Sequence, residues 1–300
     1  MAGDTLSLGV AVVPHDDSRW QRSWRGLRRF ARRKPLGAAG AIIFLLVCAT
    51  AALAPVLAPY DPLEASGSRL EAPSSQHWMG TDEQSRDVIS RIIYGAQLSL
   101  KVSTASIALA TIAGTVIGLM SGFFGGVADF LIQRIIDVML SIPVLILAIA
   151  LVAVLGTSTF NLIVAIAVGQ IPLFTRVVRS SVLVAREAQY VDAAEIVGAG
   201  SARVMFRHVL PNVIAPIIVL ASAGLGFAIL AETSLSFLGL GPPITEPSWG
   251  AMLSGPARIY MPVAPWLAIF PGIAISLVVF SANMLGAALR DEWDPRLRSR

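Results

Sequence analysis

Between two long apolar runs, residues Tyr190–Asn212 read YVDAAEIVGAGSARVMFRHVLPN. This polar, arginine-bearing island interrupts a chain of 300 residues whose mean hydropathy is +0.71. Asp192 stands near the start of a short helical run, where a carboxylate suits the free N–H groups and the positive end of the helix dipole. Ala193 and Ala194 carry almost no side chain, so the helix can seat closely in a groove on another protein. Gly198 and Gly200 then act as stop signals, because glycine takes the left-handed geometry that ends helices. Arg203, Arg207 and His208 lead into Leu210-Pro211, where the apolar run resumes. Spacing alone leaves two readings equally open, an ordinary loop with a capped helix and a docking segment. The flanking sequence decides between them.

Composition removes the soluble globular class. The chain is 55% hydrophobic and 14% charged, against about 25% charged in average soluble usage. The charges are also segregated. Uncharged stretches run over Pro35–Tyr60, Val102–Ala128, Val138–Thr175, Val209–Ala231 and Ile259–Leu289, and a bilayer crossing needs about 20 such residues. The third stretch is too long for one crossing. It carries Gly156-Thr157-Ser158 and Asn161 near its middle, so it divides into two helices joined by a tight turn. An all-α polytopic membrane protein with six transmembrane helices is the expectation.

Lysine and arginine in short loops set the orientation. With the N-terminus inside, the inner segments hold eight, one, five and four basic residues, eighteen of the twenty-three. The outer segments keep Arg69, Arg86, Arg91, Lys101 and Arg258. The island at Tyr190–Asn212 is therefore expected in the cytoplasm, with both termini. The pI near 9.7 then reports topology and contact with anionic lipid, not nucleic acid. Residues 1–34 close on a basic cluster with Trp20 and Trp24 interleaved, as in an amphipathic membrane-surface helix. Their following apolar run is longer than a signal-peptide core, which makes it an uncleaved first helix. Cys48, the single cysteine, falls inside that run as a small apolar residue.

Three features of the crossings stand out. Ser106, Ala110, Gly114, Gly118, Gly122 and Gly126 recur every four residues, a small-residue face on which another helix backbone can approach closely. Whether that partner helix belongs to this chain is not readable. Arg134 and Asp137 mark the inner end of the third helix, three residues apart and on one face. Glu232 is the one acid deep in an apolar run and must face the bundle interior, a partner chain or water. A structural hydrogen bond and a place near a translocation path suit it equally. Pro143, Pro172, Pro211, Pro216, Pro265 and Pro271 fall in or beside crossings, where broken helices can line a path.

Enzyme motifs are missing. Lys34 and Lys101 are the only lysines, and neither follows glycine, so no GxxxxGK[ST] nucleotide loop exists. His15, His77 and His208 have no partner at helical metal spacing, and no GxSxG elbow occurs.

The island resembles the EAA loop of ABC importer permeases, in which Asp192, Ala193, Ala194 and Gly198 would couple to the ATPase and Leu210-Pro211 would fix the return to the membrane. Three further stretches resemble signatures of the dipeptide/oligopeptide/nickel branch of that family. His77-Trp78-Met79-Gly80-Thr81-Asp82, Ser85-Arg86-Asp87, Arg91 and Tyr94-Gly95 match HxxGTDxxGRDxxSRxxYG, with Ser85 in place of glycine. Ala231–Gly241 matches AETSLSFLGLG, followed by Pro247–Leu253 as PSWGxML. Glu292–Arg298 is similar to a closing LDPRLR, with Trp293 in place of leucine. Asp192 departs from the general glutamate, keeping the charge and shortening the reach.

The resemblance implies a type I ABC importer permease fold in the bacterial inner membrane. It divides as a basic segment 1–34, a first helix 35–60, an outer segment 61–97, a five-helix core 98–288 with a coupling loop 186–211, and a tail 289–300. The implied partners are a second homologous permease, two ABC ATPases and an extracytoplasmic substrate-binding protein. Gly80, Thr81, Asp82, Arg86 and Asp87 are candidates to contact that binding protein. No cofactor or metal is expected in this chain, since ATP and magnesium would sit on the ATPases. The alternative is an ion- or proton-coupled secondary transporter with Glu232 or Asp137 titrating, which would more typically carry an internal repeat and several intramembrane acids. A membrane scaffold without transport has only the basic N-terminal helix in its support.

Overall fold

The structure, a computed structural model, describes residues 34–243 and 245–293. The basic cluster before Lys34 and the closing Asp294–Arg298 match lie outside the described residues. Every named element is helical. The first apolar run forms α1 (Pro35–Ala52), started by its own proline, and a short α2 (Ala54–Leu57). The long loop that was expected outside leads to α3 (Val88–Phe124), capped by Asp87, whose carboxylate accepts the N–H of Ser90 at 2.8 Å. Arg91 thus stands in the first turn of the second crossing. Next come α4 (Gly126–Ser141), α5 (Val144–Leu155) and α6 (Thr159–Arg186). The long uncharged stretch does divide at Gly156, which takes φ +85.

The chain continues through α7 (Gln189–Ile196), α8 (Ser201–Val204), a π-helical turn at Met205–Val209 and α9 (Leu210–Phe237). After α10 (Trp249–Met252) and α11 (Pro256–Tyr260), α12 (Trp266–Trp293) closes the bundle. Among the described residues five helical segments are long and apolar enough to cross a membrane, and α4 with α5 makes a sixth if that bent pair is one span.

That pair is sharply bent. α4 and α5 meet at 93°, because Pro143 bars Ile142 from helical geometry and holds it extended at φ −97, ψ 127. Arg134 and Asp137 therefore lie on α4, before the bend, and not at the end of a crossing helix. Lys101, expected in the outer segment, stands well inside α3 and is exposed.

The small-residue face of α3 packs on α6 of the same chain. A Cβ added at Gly114 would lie 2.4 Å from the Cβ of Phe174, and one at Gly118 2.8 Å from the carbonyl oxygen of Thr175. At Gly122 it would meet Val182 at 2.9 Å. Gly126 leaves the pattern, since it opens α4 with φ +61 and nothing within 4 Å. A second close approach joins α1 to α12, where Gly40 faces Met284 and the carbonyl of Ser281. Large apolar side chains such as Leu45, Ile112, Val154 and Phe160 stay exposed, as surfaces that meet hydrocarbon or other subunits do.

The connections fall at two ends. Arg186 donates to the carbonyl of Phe123 at 2.9 Å, and Lys34 pairs with Asp291 at 2.6 Å, at the end that carries α7. At the other end Trp249 donates to the carbonyl of Ile92 and Thr159 to Glu246, each at 2.9 Å.

If the α3–α6 seam sets the fold, Gly118→Val should cost about 3 kcal/mol or more by overpacking. Gly272→Ala, where nothing lies within 4 Å of an added Cβ, should be neutral or stabilising by less than ~1 kcal/mol. Thermal unfolding of the two purified variants measures the difference, and equal melting temperatures would contradict the seam.

Candidate functional site

At the basic end, α7 stands on a fixed platform. Val191, Val204, Met205, Val209 and Val213 are buried against Leu119 and Phe123 of α3 and Val178 and Val182 of α6. The outward side of α7 presents Asp192 and Ala193, with Ala194 half-buried behind them. Asp192 lies in the first turn, as expected.

The stop is a Schellman motif. The N–H of Gly198 reaches the carbonyl of Glu195 at 2.9 Å, and that of Ala199 reaches Ala194 at 3.0 Å. Gly198 takes φ +85, the left-handed region, and a Cβ there would meet nothing within 4 Å. Gly200 is no stop. It precedes α8 with φ −67 as that helix's N-cap.

The return to the membrane is also not a loop. Helical backbone runs from Ser201 to Phe237, widened into a π turn at Met205–Val209. Pro211 explains the widening, because it has no N–H to give the carbonyl of Arg207 and its ring crowds that carbonyl. Leu210-Pro211 thus sets the geometry of a continuous helix. Sequence reasoning missed Ile196 and Val197, which are 85% and 87% exposed. Two large apolar residues just before a glycine stop, inside an otherwise polar island, were the available signal.

Glu232 is fully buried between α9 and α3. Ser99 donates to its Oε2 at 2.9 Å and Ser236 to its Oε1 at 2.8 Å. Of the two readings left open by sequence, this is the structural one. The carboxylate lines no open surface, because both oxygens are occupied inside the chain.

The outer-loop candidates are buried as well, which corrects their reading as contact residues. Asp82 accepts Arg86 Nε at 2.7 Å, lies 3.4 Å from Arg91 Nε, and accepts the N–H groups of Gln84 and Arg86. Asp87 joins His77 Nδ1 at 2.9 Å and the hydroxyl of Ser90 at 2.7 Å. Thr81 donates to the carbonyl of Ser68 at 2.5 Å. Gly80 takes φ +76 with the carbonyl of Glu71 2.5 Å from where a Cβ would sit. These five residues frame the loop, while within His77–Asp87 the exposed residues are Trp78 and Gln84. Ser85 has φ +66, which accounts for a glycine at that place in the signature. Trp249 and Gly250 of PSWGAML seat the second outer segment, since a Cβ at Gly250 would lie 2.4 Å from the carbonyl of Thr233. Among the described residues no three His, Cys, Asp or Glu side chains converge as a metal site.

Residues 114–299 match the family model described as binding-protein-dependent transport system inner membrane component, and residues 18–73 match the N-terminal TM domain of oligopeptide transport permease C. The chain belongs to this family of transport permeases. The permease is 44% identical to the dipeptide transport system permease protein DppC of Alkalihalophilus pseudofirmus, over 95% of this chain and 94% of the relative. It is 43% identical to the glutathione transport system permease protein GsiD of Pectobacterium atrosepticum, over 93% and 92%. Identity is 42% to the di/tripeptide transport system permease protein DppC of Pseudomonas aeruginosa, over 90% and 91%. It is a multi-pass membrane subunit of an ABC importer with the type I permease fold, a transport component and not an enzyme, working with ATPase and substrate-binding partners.

Removing the shared carboxylate of the outer loop should be severe. Asp82→Ala strands two buried guanidinium groups, which costs about 3–5 kcal/mol, and should deplete the permease from membranes. Immunoblotting of membrane fractions checks this, and wild-type levels would show that the loop does not depend on the pair.

Proposed function

We propose that this permease imports di- or oligopeptides, forming half of a translocation path whose other half is a second, homologous permease. ATP and magnesium are held by two ATPase subunits, and this chain holds no cofactor. The names of three relatives, for dipeptide, di/tripeptide and glutathione transport, support that substrate class. The basic residues gathered at the α7 end support a cytoplasmic position for that end and for both termini.

The single observation that carries the coupling role is the rigidly seated, glycine-stopped α7. Asp192 and Ala193, backed by Ala194, form a close-fitting face, and Gly198 bares the backbone where the helix ends. Ile196 and Val197 add an apolar contact, of the kind found at the centre of protein interfaces. Closure of the ATPases displaces α7, and the shared core beneath it passes the motion to α3, α6 and α9 as a body. Leu210 and Pro211 keep α8 and α9 in one helical rod, so that push enters the membrane directly. A proton-coupled mechanism finds little support, since Glu232 is closed in by two serines and Asp137 is engaged by Arg176 at 2.5 Å.

Gly198→Asp should place a side chain and a charge at the dock and abolish transport while the complex still forms. Proteoliposomes containing the whole complex, with loaded binding protein outside, report ATP hydrolysis and uptake together. A variant that keeps normal uptake at normal membrane levels would sink the coupling assignment.

A further inference from the structure

A cavity of about 340 Å³ opens at the outer end, between the Asp82–Arg91 stretch and the segment that follows α9. Arg86 and Arg91 line it, each only 6% exposed. Two guanidinium groups there share one carboxylate, Asp82. The described hydrogen bonds engage Arg86 through Nε, and Arg91 through Nη1, which donates to the carbonyl of Pro62 at 3.1 Å. Glu83 comes no nearer to Arg86 than 3.9 Å, beyond hydrogen-bonding reach. Guanidinium N–H groups are thus left to the cavity, and their fork geometry matches a carboxylate. Glu246 also lines the cavity, and its described partner is the neutral hydroxyl of Thr159. Among the described residues it is in no ion pair, although Lys101 borders a second cavity with it. Met252 and Leu267 supply apolar wall. The volume falls within the roughly 300–1,000 Å³ of small-molecule sites, which combine apolar lining with a few convergent polar groups.

We propose that this cavity is a station for a zwitterionic solute entering the path. Its carboxylate sits on Arg86 and Arg91, and its ammonium on Glu246. The assignment rests on the import reading for its substrate class, and it adds a recognition step made by the permease itself. Guanidinium donors that open onto a cavity are met there by water or by an anion, and the charge-assisted bond to an anion is the stronger. The opposite charge across an apolar wall selects a solute that carries both ionic groups on a short frame.

The test uses the complete transporter in lipid nanodiscs without binding protein, titrated calorimetrically with L-alanyl-L-alanine, its C-terminal amide and its N-acetyl form. Each blocked form should bind at least about tenfold more weakly, as loss of one charge-assisted contact implies. Arg86→Gln should bring the free dipeptide down to the affinity of the amide, and Glu246→Gln should bring it down to that of the acetyl form. Glu246 is exposed and outside the Asp82 ion cluster, so its variant decides the matter even where Arg86→Gln fails to assemble. Three forms binding alike, or none binding, would overturn the station. Uptake of labelled L-alanyl-L-alanine, measured with binding protein on the same preparation, separates this from the import reading. Uptake without discrimination in nanodiscs removes the station and leaves peptide import standing. Discrimination without uptake keeps a zwitterion station and removes the peptide reading.

Discussion

Two helices that meet backbone to backbone are the constraint on which this bundle depends. In hydrocarbon no hydrophobic drive brings helices together, so α3 and α6 must gain their contact from close van der Waals packing along Gly114, Gly118 and Gly122. Once they are fixed, each organises one end of the molecule. α3 is capped by Asp87 at the outer end and offers Ser99 to Glu232 of α9. α6 carries Arg176 and Arg179, which hold Asp137 and Asp129 of α4 and so fix the helix that runs into the bend. The platform under α7 is built from side chains of both.

Charge placement follows from the same solvent. A charge inside the bilayer is costly, so the ionic groups gather at the ends, where they tie segments together. At the end opposite α7 the ties are buried, with Asp82, Arg86, Asp87 and His77 all below a tenth exposed. Such groups are stable only when each is paired and hydrogen-bonded, which is why this loop needs Gly80 in a left-handed turn and Thr81 bonded on both sides. The one acid of the apolar interior obeys the same rule, with a serine on each carboxylate oxygen.

Much of this was legible in the residues. Segregated charge gave the crossings, the four-residue spacing gave the packing face, and the island at Tyr190–Asn212 gave a short helix with its stop at Gly198. The gaps have physical causes. Pro143 bends the third crossing by a right angle, but a proline beside an apolar run equally suits a mild kink, and local sequence does not distinguish the two. Pro211 widens a continuous helix where a loop was expected, because a π turn accommodates a missing N–H without ending the rod. Burial of Asp82, Arg86 and Asp87 was hidden because an alternating run of charges reads the same on a solvated loop as in a sealed network. The partner of the glycine face needed three dimensions, since spacing on one helix says nothing about which helix covers it.

The short α7 depends on the bundle beneath it for its shape. Eight residues are too few to hold a helix alone in water, where nucleation is costly. Its shape must come from below, through Val191 buried in the core shared with α3, α6 and α9, and from the Schellman closure at Gly198. A contact surface borrowed from the bundle in this way cannot move without moving the bundle. Ala193, Ile196 and Val197 stay exposed on α7, while Val191 is buried in that shared core. The continuous helical path from Ser201 to Phe237 joins the platform under α7 to Glu232, which the Ser99 hydrogen bond links to α3.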